Sequence, residues 1–496
     1  MNIIDFNDVS YTYPHSKKKA IEGVNFSVYQ GEFLAVMGET DAGKTTFCKL
    51  INGIIPLLSG GRLSGHVTVD VVRTDNCSVP QLALKAAMVM DDPDAQLFTS
   101  SVREEAAFGP ENLLLPPQEI EERIDFSLGA AGLKGFEDRE PTSLSGGEKQ
   151  RLVIAAALAM KTPILVLDEP LCRLDPKGAA EVMSVLKDIQ KKHNMTIVMA
   201  AHDSEMMAKY ADRVCILKNG KIAALDTAKI IFSNAELLEN NGIQSPKIIN
   251  EFFLAENAEN AELGGERSLE PNHFYSSAIT ICNLNFKYPT GTGISNINLS
   301  INEGDFIALI GDNGCGKTTL LKCITGLLRP YRGEILIKNK NANELSVSDI
   351  SKDVGFVMQN PDTQLFTDSV FKEVSFALKN MRLSKTEIKR RVEEALDIVG
   401  LQDAQAFPHA LGRADRTKTV IACVLAMGCK IIILDEIDVG NDYSGNLKIM
   451  NVLRSLQQKG FTIIFVTHNM FLAQEYAHRL IKLDRSGIVY DRRREE

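Results

Sequence analysis

Two stretches place residues at a spacing that suits phosphate chemistry. They are Gly38-Glu39-Thr40-Asp41-Ala42-Gly43-Lys44-Thr45-Thr46 and Gly311-Asp312-Asn313-Gly314-Cys315-Gly316-Lys317-Thr318-Thr319. Both satisfy Gly-x-x-x-x-Gly-Lys-Thr. Glycines let successive backbone N–H groups curl around phosphate oxygens, and a helix that starts at the lysine aims its positive end at the same anion. Lys44 and Lys317 can then reach the terminal phosphates of a nucleotide, and the hydroxyls of Thr45 and Thr318 can ligate Mg2+. Further along, ILVLDE at 164–169 and IIILDE at 431–436 are apolar runs that end in two acids. Asp168 and Asp435 stand where a carboxylate can complete a Mg2+ shell, and Glu169 and Glu436 where one can polarise an attacking water.

These residues need strands and helices to hold them. FLAVMG and FIALIG read as strands running straight into the glycine-rich loops, and TTFCKLINGI and TTLLKCITGL as the helices that follow. That context favours a ligand-binding loop over a mere glycine-rich turn. Near-continuous apolar runs such as ILVLD suit strands buried on both faces, so each half predicts an α/β fold with a mixed, largely parallel sheet. The landmarks also repeat in order. YTYP at Tyr11 pairs with FKYP at Phe286, PDAQLF at Pro93 with PDTQLF at Pro361, and AAHD at Ala200 with VTHN at Val466. This is the duplication of a whole domain. The predicted domains span residues 1–233 and 278–496. Between them, 234–277 is acidic and rich in Asn and Ala, and reads as a mostly solvated linker with some helix; a helical hairpin packed on the first domain is the alternative.

Composition narrows the class. The 496 residues are 44% hydrophobic and 24% charged, with a formal net charge of -9. An acidic chain is a poor candidate for gripping nucleic acid, and no apolar run approaches the length of a membrane span. The nine cysteines contain no C-x-x-C pair, which fits a reducing compartment and argues against structural zinc. Nothing near the start reads as an export signal.

LSGGEKQR at 144–151, taken with the phosphate loops and the LDE strands, resembles the signature of ATP-binding cassette (ABC) ATPases. The resemblance covers both halves and implies two P-loop cassettes, each with a helical subdomain, that pair head to tail around ATP and Mg2+. Each ATP would lie between the loop of one cassette and the signature of the other. It implies that Gly38, Gly43, Lys44, Thr45 and Thr46, and Gly311, Asn313, Gly314, Cys315, Gly316, Lys317, Thr318 and Thr319, bind ATP. Ser145, Gly146 and Gly147 would face a γ-phosphate at a second helix N-terminus. Tyr13 and Tyr288 match the aromatic that stacks on adenine, which is favoured here over the packing role a tyrosine in a strand-end turn often has. His202 and His468 match the histidine that senses the γ-phosphate. Gln359 matches the residue that contacts Mg2+ and water, and Thr45, Asp168, Thr318, Gln359 and Asp435 complete the metal set.

The PD-x-QLF segments are similar to those of energy-coupling factor transporter ATPases, which energise uptake of vitamins or transition-metal ions. The similarity implies a transmembrane T component, whose coupling helices meet this segment, a substrate-binding S component, and a place on the cytoplasmic face of the membrane. A fused sugar-importer ATPase lacks PD-x-QLF; a soluble translation cassette favours a long, charged helical linker and basic surfaces, and a repair cassette zinc cysteine pairs or long coiled coils.

The halves are unequal. In the second, the signature becomes Leu411-Gly412-Arg413-Ala414-Asp415-Arg416-Thr417-Lys418, and the loop 437–442 departs from the family's Pro-Thr-x-Gly-Leu-Asp. In the first, Asp41 replaces a loop glycine and Asp91 stands where the second half has Gln359. Head-to-tail pairing would gather Asp41, Asp91 and the altered signature at one site, which predicts one hydrolytic and one weak site. Two active sites are the alternative, since Asp tolerates a left-handed backbone and Asp91 can itself ligate Mg2+. Cys315, at a helix N-terminus, is expected to be either an activated thiol or a buried, inert one.

Overall fold

The computed structural model describes residues 1–172, 174–246, 276–289 and 291–493. Contacts divide the chain into two compact units, Met1–Phe253 and Leu254–Glu496.

In the first unit a six-stranded sheet runs Lys221–Thr227, Arg213–Lys218, Phe33–Met37, Thr196–Ala200, Ile164–Asp168 and Ala86–Val89. All neighbouring pairs are parallel except the antiparallel edge pair Lys221–Thr227 with Arg213–Lys218. Phe33–Met37 and Ile164–Asp168 are buried along their whole length, as apolar strands covered on both faces must be. A second, antiparallel sheet of Ile21–Tyr29, Asn2–Thr12, Arg62–Val69 and Val72–Arg73 lies beside it. The second unit repeats both sheets. Its six strands are Val354–Val357, Ile431–Leu434, Thr462–Val466, Phe306–Ile310, Arg479–Asp484 and Gly487–Arg493, again with one antiparallel edge pair. The predicted mixed, largely parallel α/β architecture is present twice.

Each unit also carries a helical subdomain. Val102–Asn112, Pro117–Ala130 and Gly146–Ala159 enclose an apolar cluster of Val102, Ala106, Ile124, Leu128, Leu152 and Ala155. Val370–Asn380, Lys385–Val399 and Arg413–Met427 do the same in the second unit.

The expected linker is only partly visible, since 247–275 lies outside the described residues. Its beginning is packed rather than solvated. Asn234 caps the helix Ala235–Glu239, and Leu238 and Ile243 are buried in the core of the first unit. Among the described residues no helix is long and apolar enough to cross a membrane, and no His, Cys, Asp and Glu cluster forms a metal site of its own.

Candidate nucleotide and magnesium sites

Each glycine-rich loop leaves the end of a buried central strand and enters a helix, Lys44–Ile51 or Lys317–Ile324. Gly38 and Gly311 sit at φ +143° and +146°. A Cβ there would lie 2.2 Å from the Leu217 carbonyl oxygen, or 2.1 Å from that of Leu483, so only glycine fits. Gly43 and Gly316 both start their helices at φ 107°. Lys44 Nζ donates to the carbonyls of Gly38 and Glu39, each at 3.1 Å, and Lys317 Nζ to those of Gly311 and Asp312 at 2.7 and 3.0 Å. The ammonium groups are thus held inside the loops where phosphate would sit.

In each unit the threonine and aspartate metal candidates meet. Thr45 Oγ1 donates to Asp168 Oδ1 at 3.2 Å, and Thr318 Oγ1 to Asp435 Oδ1 at 3.1 Å. Burial pushes both carboxyls up to about 6, against the pull of the threonine hydrogen bonds. A buried carboxylate short of positive charge, beside a hydroxyl and the phosphate loop, is what a divalent cation relieves, so these residues fit Mg2+.

Glu169 and Glu436 follow the strand ends at φ +51° and +46°. Left-handed backbone costs free energy in a glutamate, and such strain persists where surroundings fix a functional side chain. His202 Nε2 lies 2.9 Å from Glu169 Oε1, and His468 Nε2 3.2 Å from Glu436 Oε1. Burial would raise the Glu169 carboxyl, but His202 and Lys44 outweigh it and hold it at about 2. Burial is likewise overcome at Glu436, by His468 and Lys317, which keep it below the usual carboxylate range. Both stay ionised, as a group that polarises water must.

The units then diverge. Gln359 Nε2 donates to Glu436 Oε2 at 2.8 Å. In the first unit Asp91 instead adds negative charge that helps to push up Asp168. Asp41 adopts φ +63° and is exposed, close to the +74° of Gly314, so the replacement changes the loop's charge and not its path. Tyr13 and Tyr288 are half-buried beside the loop helices. Their hydroxyls lie 3.1 and 3.5 Å from Thr46 and Thr319 Oγ1, and their rings pack edge-on against Tyr11 and Phe286.

Ser145 caps Gly146–Ala159 in a capping box with Glu148: its N–H donates to Glu148 Oε2 at 2.8 Å. A Cβ on Gly146 would meet nothing within 4 Å, and one on Gly147 only Leu174 Cδ2 at 3.7 Å. The fold of the unit therefore does not demand these glycines. In the second unit Gly412 starts Arg413–Met427 without a side-chain cap, and Arg413 Nη2 donates to the Gln359 carbonyl at 3.2 Å.

An activated thiol at Cys315 is not found. The side chain is buried, and that burial pushes its pKa up despite Lys317 nearby. Desolvation of the thiolate outweighs the helix N-terminus.

Sequence reasoning missed the support beneath PD-x-QLF. Glu105 Oε2 accepts from Phe98 N, Thr99 N and Thr99 Oγ1, and Glu373 Oε2 from Phe366 N, Thr367 N and Thr367 Oγ1, all at 2.8–3.1 Å. The signal was there, because both glutamates fall three residues after a valine that opens the next helix, Val102 or Val370. The result is an aromatic pair held outward in each unit. Phe98 (65% exposed) packs edge-on against Phe108, and Phe366 (63% exposed) against Phe376. Beside Phe98 and Phe108 opens a mostly apolar cavity of about 330 Å³ lined also by Ile54, Met88, Val153 and Met160.

The chain matches the family described as ABC transporter over residues 21–172 and 294–438. Two relatives carry the name "Putative ABC transporter ATP-binding protein". That of Caldanaerobacter subterraneus subsp. tengcongensis is 36% identical over 99% of this chain and 92% of its own length. That of Methanosarcina acetivorans is 35% identical over 97% of this chain and 84% of its own. With both halves matched in order and both relatives covered nearly end to end, the chain belongs to the ABC transporter family, as an ATPase with two cassettes that bind ATP with Mg2+.

Proposed function

We propose that this ATPase powers an energy-coupling factor type importer of a vitamin or a transition-metal ion. The observation that carries the proposal is the PD-x-QLF segment, present twice, each time braced by a buried glutamate so that a phenylalanine pair faces outward. Exposed aromatics anchored on a rigid frame suit the capture of a partner's apolar helix. The partner would be a transmembrane T component working with a substrate-binding S component, which places the chain on the cytoplasmic face of the membrane. The cassettes, joined through 234–277, would pair head to tail. Lys44, Lys317 and the loop amides would hold phosphate, and Thr45 with Asp168, and Thr318 with Asp435 and Gln359, would hold Mg2+. Glu436 and His468 would drive hydrolysis opposite Ser145, Gly146 and Gly147. Glu169 and His202 would serve the weaker site, which carries Asp41 and Asp91.

Affinity capture of the tagged chain from detergent-solubilised membranes tests this. Wild type is expected to bring down a T-like and a small S-like membrane protein, and the Phe98→Ala, Phe366→Ala double variant to lose both. Recovery of ribosomes or nucleic acid with no membrane protein would keep the ATPase and remove the importer.

A further inference from the structure

The loop after Glu436 holds a carboxylate with no part in the chemistry above. Asp438 lies in the turn that Val439 N closes onto the Glu436 carbonyl at 3.3 Å. Its Oδ2 accepts from Thr467 Oγ1 at 2.6 Å, while its Oδ1 is buried without a hydrogen-bond partner. Thr467 is wholly buried and directly precedes His468. The same hydroxyl accepts from Asn469 N at 2.9 Å, on the far side of the histidine. A chain of hydrogen bonds thus ties the loop beyond Glu436 to both neighbours of His468. It runs alongside the direct His468–Glu436 contact at 3.2 Å.

The first unit builds the same junction from apolar atoms. Leu171 stands at the position of Asp438 and Ala201 at that of Thr467, and both pack into that unit's core. The exchange is therefore paired, with an acceptor on one loop and its donor on the other. Apolar side chains suffice at both positions in the first unit, so packing alone does not account for a buried carboxylate, which is costly unless its hydrogen bonds are used. The second unit also lacks the backbone restraint of Pro170, having Ile437 there. A short hydrogen bond restores a fixed direction, which an apolar contact does not give.

We propose that Asp438 and Thr467 are positioning residues that hold the Glu436 carboxylate and the His468 imidazole in register for attack on the terminal phosphate. This rests on Glu436 being the carboxylate that drives turnover. ATP hydrolysis by the full chain carrying Glu169→Gln tests it, with Glu436→Gln added as the reference. Thr467→Val, close to threonine in shape, and Asp438→Leu are each expected to lower kcat about tenfold with KM within about twofold. The double variant is expected to be no worse than either single one, because both break one bond. Thr467→Ser and Asp438→Asn keep donor and acceptor, and are expected to stay within about threefold of the background. Unchanged kcat in Thr467→Val overturns the proposal, as does a Ser variant no better than Val. If Asp438→Leu fails to fold, the Val and Ser comparison decides. Turnover that survives Glu436→Gln would remove Glu436 from its role, and the proposal with it.

Discussion

In the second unit Gln359 donates a hydrogen bond to Glu436; in the first, the matching Asp91 adds negative charge beside Asp168. Around that difference the two units agree closely. Both lysines are tucked into their loops, both threonines bond the strand-end aspartates, and both glutamates sit in left-handed backbone against a histidine. The scaffold of a nucleotide site, with its glutamate and histidine, is thus kept twice, while the glutamine beside the glutamate and the Ser-Gly-Gly signature are each kept once. On the proposed asymmetry, binding geometry would be set by backbone and burial, and catalytic competence by a few side chains.

The comparison breaks most sharply at the glutamates. Glu436→Gln is expected to lower steady-state phosphate release by at least about 100-fold, the scale of a lost water-polarising base, and Glu169→Gln by less than about threefold. Equal losses would make the two units functionally alike.

A smaller effect sharpens the contrast at the next position. Gln359→Asp is expected to lower kcat about tenfold, because it replaces a donor to Glu436 with a second negative charge. Asp91→Gln, the reciprocal change, is expected to shift turnover less than about twofold, since the second signature with its Arg413 and Ala414 is still altered. A large gain from Asp91→Gln would locate the weakness of the first unit in that one residue.

Asp41→Gly should have the least effect. An exposed charge near phosphate is worth about 0.5–1 kcal/mol, so nucleotide affinity at the first loop is expected to rise about two- to fivefold. Nucleotide titration of the Glu436→Gln variant reads it. Loss of affinity instead would mean that Asp41 contributes to binding, through Mg2+ or a partner group.

Much of this could be read from the chain. The glycine-rich loops, the LDE strands and their repetition are local patterns whose spacing is itself the chemistry, so Lys44, Thr45, Asp168 and their counterparts lie where expected. What escaped depends on distance in the fold. Nothing local says that Asp438 and Thr467 touch across two strand ends. Cys315, left open in the sequence between an activated and a buried thiol, turns on distance in the same way. Its position at a helix start is local and favours a thiolate, but burial is set by the whole unit and wins. The acidic composition of 234–277 likewise concealed Leu238 and Ile243, two apolar residues enough to pin its beginning to the core.

Gly146 and Gly147 have open space where a side chain would go, and neither sits at positive φ. The fold of the unit therefore places little demand on them, and the reason to keep them would be the γ-phosphate proposed to lie beside them. After a duplication, one copy can drift from Gly-Gly to Arg-Ala in single steps without passing through a misfolded ancestor, since either residue suits a helix start at least as well as glycine. A signature can be shed while the protein remains abundant and intact. On the proposed asymmetry, that would be a route by which a two-engine ATPase becomes one engine and one clamp.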